Sequence, residues 1–77
     1  MDTLLLLLST FPNVASARAA AHTLVDEHLA ACGSLLPQVE SIYRWKGEIE
    51  TGAEVFVIFK TTVERADAAQ ARLFSRP

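Results

Sequence analysis

Few side chains in this sequence stand at spacings that do chemistry. His22 and Asp26 fall four residues apart, so on a helix an imidazole and a carboxylate would share one face and could grip a metal ion. His28 and Cys32 form a second such pair. Commoner roles outweigh ligation in both: a solvated polar pair at 22 and 26, a packed neutral histidine at 28, and a small buried hydrophobe for Cys32 at a helix end. No metal ligands are assigned. Ser9, Ser16, Ser34, Ser41 and Ser75 lack a G-x-S-x-G elbow, and Gly33, Gly47 and Gly52 are spaced for turns instead of a phosphate-cradling loop. The chain therefore reads as non-enzymatic, with no catalytic residues. What stands out is Tyr43, Arg44 and Trp45 with Lys60 further on. Two aromatic rings and two cations on neighbouring strands exceed what packing requires, and these four are the candidate binding residues.

The elements that must position them follow from periodicity. Leu4 to Leu8 is an unbroken apolar run, the pattern of a strand buried on both faces in the middle of a sheet. It is too short for a signal-peptide core, and Asp2 stands where such a peptide carries a cation. Asn13 is a helix cap, and Ala17, Ala20, Ala21, Leu24, Val25 and His28 recur on one face of a helix expected from Val14 to about Ala30, with Gly33 as its stop. Ser34 to Trp45 is a half-exposed strand that Pro37 places at a sheet edge or bulges near its start. Lys46-Gly47 makes a two-residue hairpin turn. The returning strand ends in Val55-Phe56-Val57-Ile58-Phe59, apolar on both sides and so central and covered, with a bend expected at Gly52. Thr61-Thr62-Val63-Glu64 matches a capping box, which opens a second helix with Ala66, Ala69 or Gln70, and Leu73 inward, ending at Ser75-Arg76-Pro77.

Strand, helix, strand, strand, helix is an α+β order, the ferredoxin-like βαββα(β) with its last strand missing, in a single domain over 1–77. The hairpin is overlong: twelve residues of strand reach about 40 Å, whereas a 17-residue helix reaches only about 25 Å. Tyr43 and Trp45 near its tip therefore suggest an interface.

At 77 residues, 51% apolar and 21% charged, the chain is one small domain whose core is marginal alone. One cysteine excludes an internal disulfide, which leaves self-association as the expected support. A net charge of −2 argues against nonspecific nucleic-acid binding. The RNA-recognition signature also fails, because Gly52-Ala53-Glu54-Val55 lacks its basic and aromatic positions before Phe56-Val57-Ile58-Phe59. No window approaches the roughly 20 apolar residues of a membrane span, and a lone cysteine without an export signal points to the cytoplasm.

Ser9-Thr10-Phe11-Pro12-Asn13, Leu29-Ala30-Ala31-Cys32, the run from Ser41 to Glu50 and Lys60-Thr61-Thr62 together resemble the CutA family of divalent-cation tolerance proteins, in order and spacing over nearly the whole chain. The resemblance implies a ferredoxin-like subunit in a tight homotrimer whose long hairpins pair across subunits, with a task in divalent-cation tolerance. Cu²⁺ or another divalent cation is the ligand it suggests. Family members continue past the second helix with a further strand that is not present here. Some bacterial relatives carry a copper-associated cysteine where this chain has Ser9, and a hydroxyl is a poor ligand for soft Cu(I). The alternative is a small-molecule sensor like the PII-type signalling trimers, whose fold is similar, with an effector held near Tyr43, Arg44, Trp45 and Lys60.

Overall fold

A computed structural model describes residues 3–74. In chain order these form β1 (Leu4–Phe11), α1 (Val14–Asp26), β2 (Cys32–Trp45), β3 (Glu48–Thr62) and α2 (Val63–Phe74). The strands make one antiparallel sheet in the order β1-β3-β2. This is the ferredoxin-like arrangement with three strands and a long β2–β3 hairpin. The helix end expected at Ser75-Arg76-Pro77 lies outside the described residues.

Both helices cover one face of the sheet. Phe11 from β1 and Val55, Val57 and Phe59 from β3 point toward them, and Ala17, Ala20, Ala21 and Leu24 of α1 and Ala69 and Leu73 of α2 close over that layer. The alanine stripe brings α1 near the sheet. At the tightest point a Cβ on Gly33 would stand 3.2 Å from the Ala21 Cβ and 3.2 Å from the Phe59 ring. Gly33 thus serves a close approach inside β2 and is not the helix stop expected of it. The helix ends earlier, at Asp26, and His28 takes the left-handed turn (φ 60°) that releases the chain. His28 consequently leaves the apolar stripe, and both it and Val25, in the last turn of α1, are exposed. Cys32 falls at the start of β2, half-buried, instead of at a helix end. Asn13 caps α1 as expected: its Oδ1 accepts from the Ser16 N–H at 2.8 Å.

Two further expectations give way to tertiary geometry. The strand Leu4–Phe11 is at an edge of the sheet, not its middle, and only one of its faces is covered: Leu4, Leu6 and Leu8 are 62–66% exposed. Alternation explains it, since Leu6 and Leu8 pair with Lys60 and Ile58 on the face the helices do not reach. For the same reason β3 is central but covered on one side, with Phe56 and Ile58 only half-buried. The capping box does not form around α2. The Thr61 hydroxyl instead donates to the Leu29 carbonyl at 2.6 Å, pinning the loop after α1, and β3 pairing continues through Thr62, whose own Oγ1 is buried without a hydrogen-bond partner.

The hairpin follows the sequence closely. Trp45 pairs with Glu48 around Lys46 (φ 52°) and Gly47 (φ 83°), the two successive positive angles of a type I′ turn. Pro37 does both things expected of it, because β2 is an edge strand and its register slips between Leu36 and Val39. Over that slip β2 spends three residues where β3 spends two, from Phe56 to Glu54. Gln38 absorbs the extra residue with φ 61°. At Gly52 the β3 register is unbroken. The molecule measures 45 × 23 × 21 Å, and its long axis is the hairpin, which extends well past a 13-residue helix of about 20 Å.

Candidate functional site

The bulge at Gln38 decides what the hairpin displays. Odd-numbered Leu35 pairs with Val57 on the helix face, but after the extra residue Val39, Tyr43 and Trp45 pair with Glu54, Glu50 and Glu48 on the opposite face. Tyr43 and Trp45 are 47% and 60% exposed there. Each faces a glutamate of β3 directly across the ladder. Beneath Tyr43 the strand carries Gly52, where a Cβ would come within 3.6 Å of the ring and 3.7 Å of the hydroxyl. The two rings, Gly52 and Glu54 wall one side of a shallow groove of about 680 Å³, and Thr10, Phe11 and Pro12 at the end of β1 close the other. At the tip, the Lys46 ammonium sits 5.9 Å from the Trp45 ring centroid, within cation–π reach.

The four candidate binding residues are divided by this geometry. Tyr43 and Trp45 share the groove. Arg44, between them, points to the other face and donates from Nη1 to the Gly47 carbonyl at 3.5 Å. Lys60 is ten residues along β3 from Glu50, the partner of Tyr43, or about 33 Å away, where it pairs with Leu6 and Cys32. Within one chain Lys60 cannot share a small ligand with the rings. The sequence reading missed Thr10, Pro12 and Glu54. Their signal lies in the antiparallel register, which sets Thr10 opposite Phe56 and Glu54 opposite Val39.

His22 and Asp26 are exposed on α1, while His28 and Cys32 are separated by the chain's passage from helix to strand. Among the described residues no three metal-binding side chains come together. Ser9 pairs with Val57 on the helix face and is half-buried. No described helix is long and apolar enough to cross a membrane.

The second notable surface is the uncovered face of the sheet. Leu4, Leu6 and Leu8 of β1 lie in one row and Leu36 of β2, 41% exposed, on the far side of Phe56 and Ile58. Beyond the helices, Ile42 and Ile49 add apolar surface, 68% and 67% exposed, on the hairpin's other side. Exposed aliphatic surface of this kind, when contiguous, is what protein, membrane or ligand contacts cover in other proteins.

Residues 5–76 match the family model described as CutA1 divalent ion tolerance protein. "Protein CutA" of Homo sapiens is 48% identical over 52 residues, which are 68% of this chain and 29% of that protein. The chain thus spans about a third of that relative's length. A structure of CutA from Synechococcus elongatus PCC7942 complexed with a Bis-Tris molecule superposes with a TM-score of 0.87 at 42% identity, covering 97% of this chain and 70% of the other. A structure described as a periplasmic divalent cation tolerance protein CutA, from Archaeoglobus fulgidus, has a TM-score of 0.85 at 28% identity, covering 92% and 69%.

Proposed function

The chain belongs to the CutA1 divalent ion tolerance protein family, and from that premise we propose that it acts, as one domain over residues 1–77, in a non-enzymatic homotrimer serving tolerance of divalent metal ions, copper foremost, in the cytoplasm. The observation that carries this reading is the uncovered sheet face, with Leu4, Leu6, Leu8 and Leu36 open beside an edge strand. Burying such a face removes apolar surface from water at about 25 cal/mol per Å² and supplies the stability a core of this size lacks. Three copies can close such faces around one axis. Nothing in this assignment requires nucleic acid or a membrane.

Light scattering on a sizing column, over a wide range of concentrations, tests the assembly. A mass three times that of the chain at every concentration is expected, and a monomer overturns the reading. Calorimetric titration with Cu²⁺ tests the metal. Saturable heat above that of Cu²⁺ diluted into buffer is expected, and its absence removes copper from the proposal.

A second reading is favoured by one specific observation, the groove under Tyr43 and Trp45, together with the small molecule named in the Synechococcus structure. In it the protein is a PII-like small-molecule sensor. Tyr43, Arg44, Trp45 and Lys60 then serve one effector, with Arg44 or Lys60 contributed by a neighbouring copy, since one chain holds Lys60 too far away. A ligand response unchanged in Arg44→Ala counts against that use of the cation.

A further inference from the structure

We infer that Lys60 forms an ion pair across the assembly, with Glu50 or Glu54 in the hairpin of a neighbouring copy, and that this pair fixes which halves of the sheet face meet. The inference rests on the homotrimer reading above and gives its contact a direction. Alternation puts the even-numbered residues of β3, from Glu48 to Thr62, on the face away from the helices, and the two ends of that face differ in kind. The inner end is aliphatic, with Leu6 and Leu8 on one side of β3 and Leu36 on the other. Among the described residues Lys60 is its one charge, exposed between Leu6 and Cys32. The outer end carries Tyr43 and Trp45 with Glu48, Glu50 and Glu54 across the ladder or beside them. Arg44 lies on the opposite face, and Lys46 sits in the turn over the Trp45 ring. Among the described residues neither Lys60 nor Glu50 nor Glu54 makes an ion pair. Within one chain they cannot pair with each other, because even Glu54 is six residues along β3 from Lys60, or about 20 Å.

Covering the leucines takes Lys60 out of water with them, and a buried ammonium is tolerated only beside an acceptor of opposite charge. Leucine packed against leucine would serve the apolar surface alone. Around one axis, however, it would gather an ammonium from every copy with no carboxylate near, and like charges juxtaposed across an interface oppose association. Setting the inner half of one copy against the outer half of the next removes the fault. Tyr43 and Trp45 then cover leucines, and Lys60 arrives among carboxylates that lack a cation of their own. Such a contact joins unlike surfaces, and it closes into a ring when the rotation between copies allows. A leucine in place of the lysine would bury as well or better, so the pair acts on which halves meet more than on raw affinity.

Charge exchange tests the pair, read by sedimentation equilibrium of the full chain over a wide range of concentration, with far-UV circular dichroism to show that each variant folds. Lys60→Glu sets carboxylate against carboxylate at every contact and should raise the dissociation constant of the assembly by at least about a hundredfold. Glu50→Lys and Glu54→Lys are then each combined with Lys60→Glu. One of the two double variants should regain the parent's mass at dilutions where Lys60→Glu alone has lost it, and the one that does so names the partner of Lys60. Should Lys60→Glu fail to fold, Lys60→Gln is combined with Glu50→Gln and with Glu54→Gln in double-mutant cycles. For the paired glutamate the combined loss should fall short of the sum of the single losses, and additive losses for both would overturn the inference. The parent's mass in Lys60→Glu at every dilution would overturn it while leaving the trimer in place, with Lys60 free for an effector as in the second reading. Loss of assembly that neither exchange recovers would overturn it as well. A parent chain that is monomeric throughout would remove the trimer reading and the inference together.

Discussion

Replacing Leu6 with glutamine separates assembly from folding in this protein. Leu6 is 62% exposed in the single chain, on the sheet face opposite the helices, so the substitution takes almost nothing from the core. The change in the isolated chain should be within about 0.5 kcal/mol, as for surface positions generally. Assembly is another matter. Complete burial of a leucine contributes about 1.5–3 kcal/mol, and the exposed 62% leaves about 1–2 kcal/mol to be gained when the face is covered. The trimer proposed above repeats the position in every copy, which makes about 3–6 kcal/mol per assembly. At about 1.4 kcal/mol per decade, the overall dissociation constant should rise by about two to four orders of magnitude. Light scattering or sedimentation equilibrium over a hundredfold range of concentration reads that shift directly. A Leu6→Gln variant with the parent's mass at every dilution would refute the argument, because it would mean that this face stays in water.

Three other substitutions follow from contacts in the fold. Thr61→Val keeps the shape of a residue that is 2% exposed but deletes its 2.6 Å bond to the Leu29 carbonyl, so urea unfolding at fixed protein concentration should show a loss of about 1–3 kcal/mol. Gly47→Ala has open space around it, yet its φ of +83° opposes any side chain; about 1 kcal/mol of destabilisation is expected, with the midpoint of thermal unfolding lowered and the oligomer mass kept. Glu27→Gln removes the negative charge from the 3.0 Å contact with Arg72 between side chains that are 42% and 38% exposed, and should change stability by less than about 0.5 kcal/mol, an effect that vanishes in high salt.

How much of this was legible beforehand depended on whether the deciding forces were local. Asn13 as a cap, Lys46-Gly47 as a turn and Pro37 as an edge or bulge residue are set by backbone preferences of one or two residues, and all three appear as read. The leucine run looked central because nothing in a single strand's pattern says which of its faces the helices will reach. Gly33 and His28 traded roles for a tertiary reason: the Phe59 ring and the Ala21 methyl leave a side chain at 33 only a tight fit, so the glycine is spent there and a histidine takes the left-handed angle. Thr61 likewise leaves its capping motif for a carbonyl thirty-two residues earlier. The aromatic pair of the groove was visible as residues, but its partners were not. Glu48, Glu50 and Glu54 join Trp45, Tyr43 and Val39 only because the bulge reverses the parity of β2 relative to Leu35.

The overhang of the hairpin carries a dynamic consequence. From Val39 to Trp45 and from Glu48 to Glu54 the two strands hold each other and little else, since the helices end short of them and most of their side chains are exposed. A two-stranded ribbon of that kind is marginal in water. In a solitary chain its amide hydrogens should exchange with deuterium through small local openings, long before those of Val55, Val57 and Phe59 under the helices. Once neighbouring copies enclose the ribbon, the same amides can exchange only after subunits part. Their protection would then record the lifetime of the assembly, and the outer half of the hairpin would acquire its native rigidity from association while the inner half acquires it from folding.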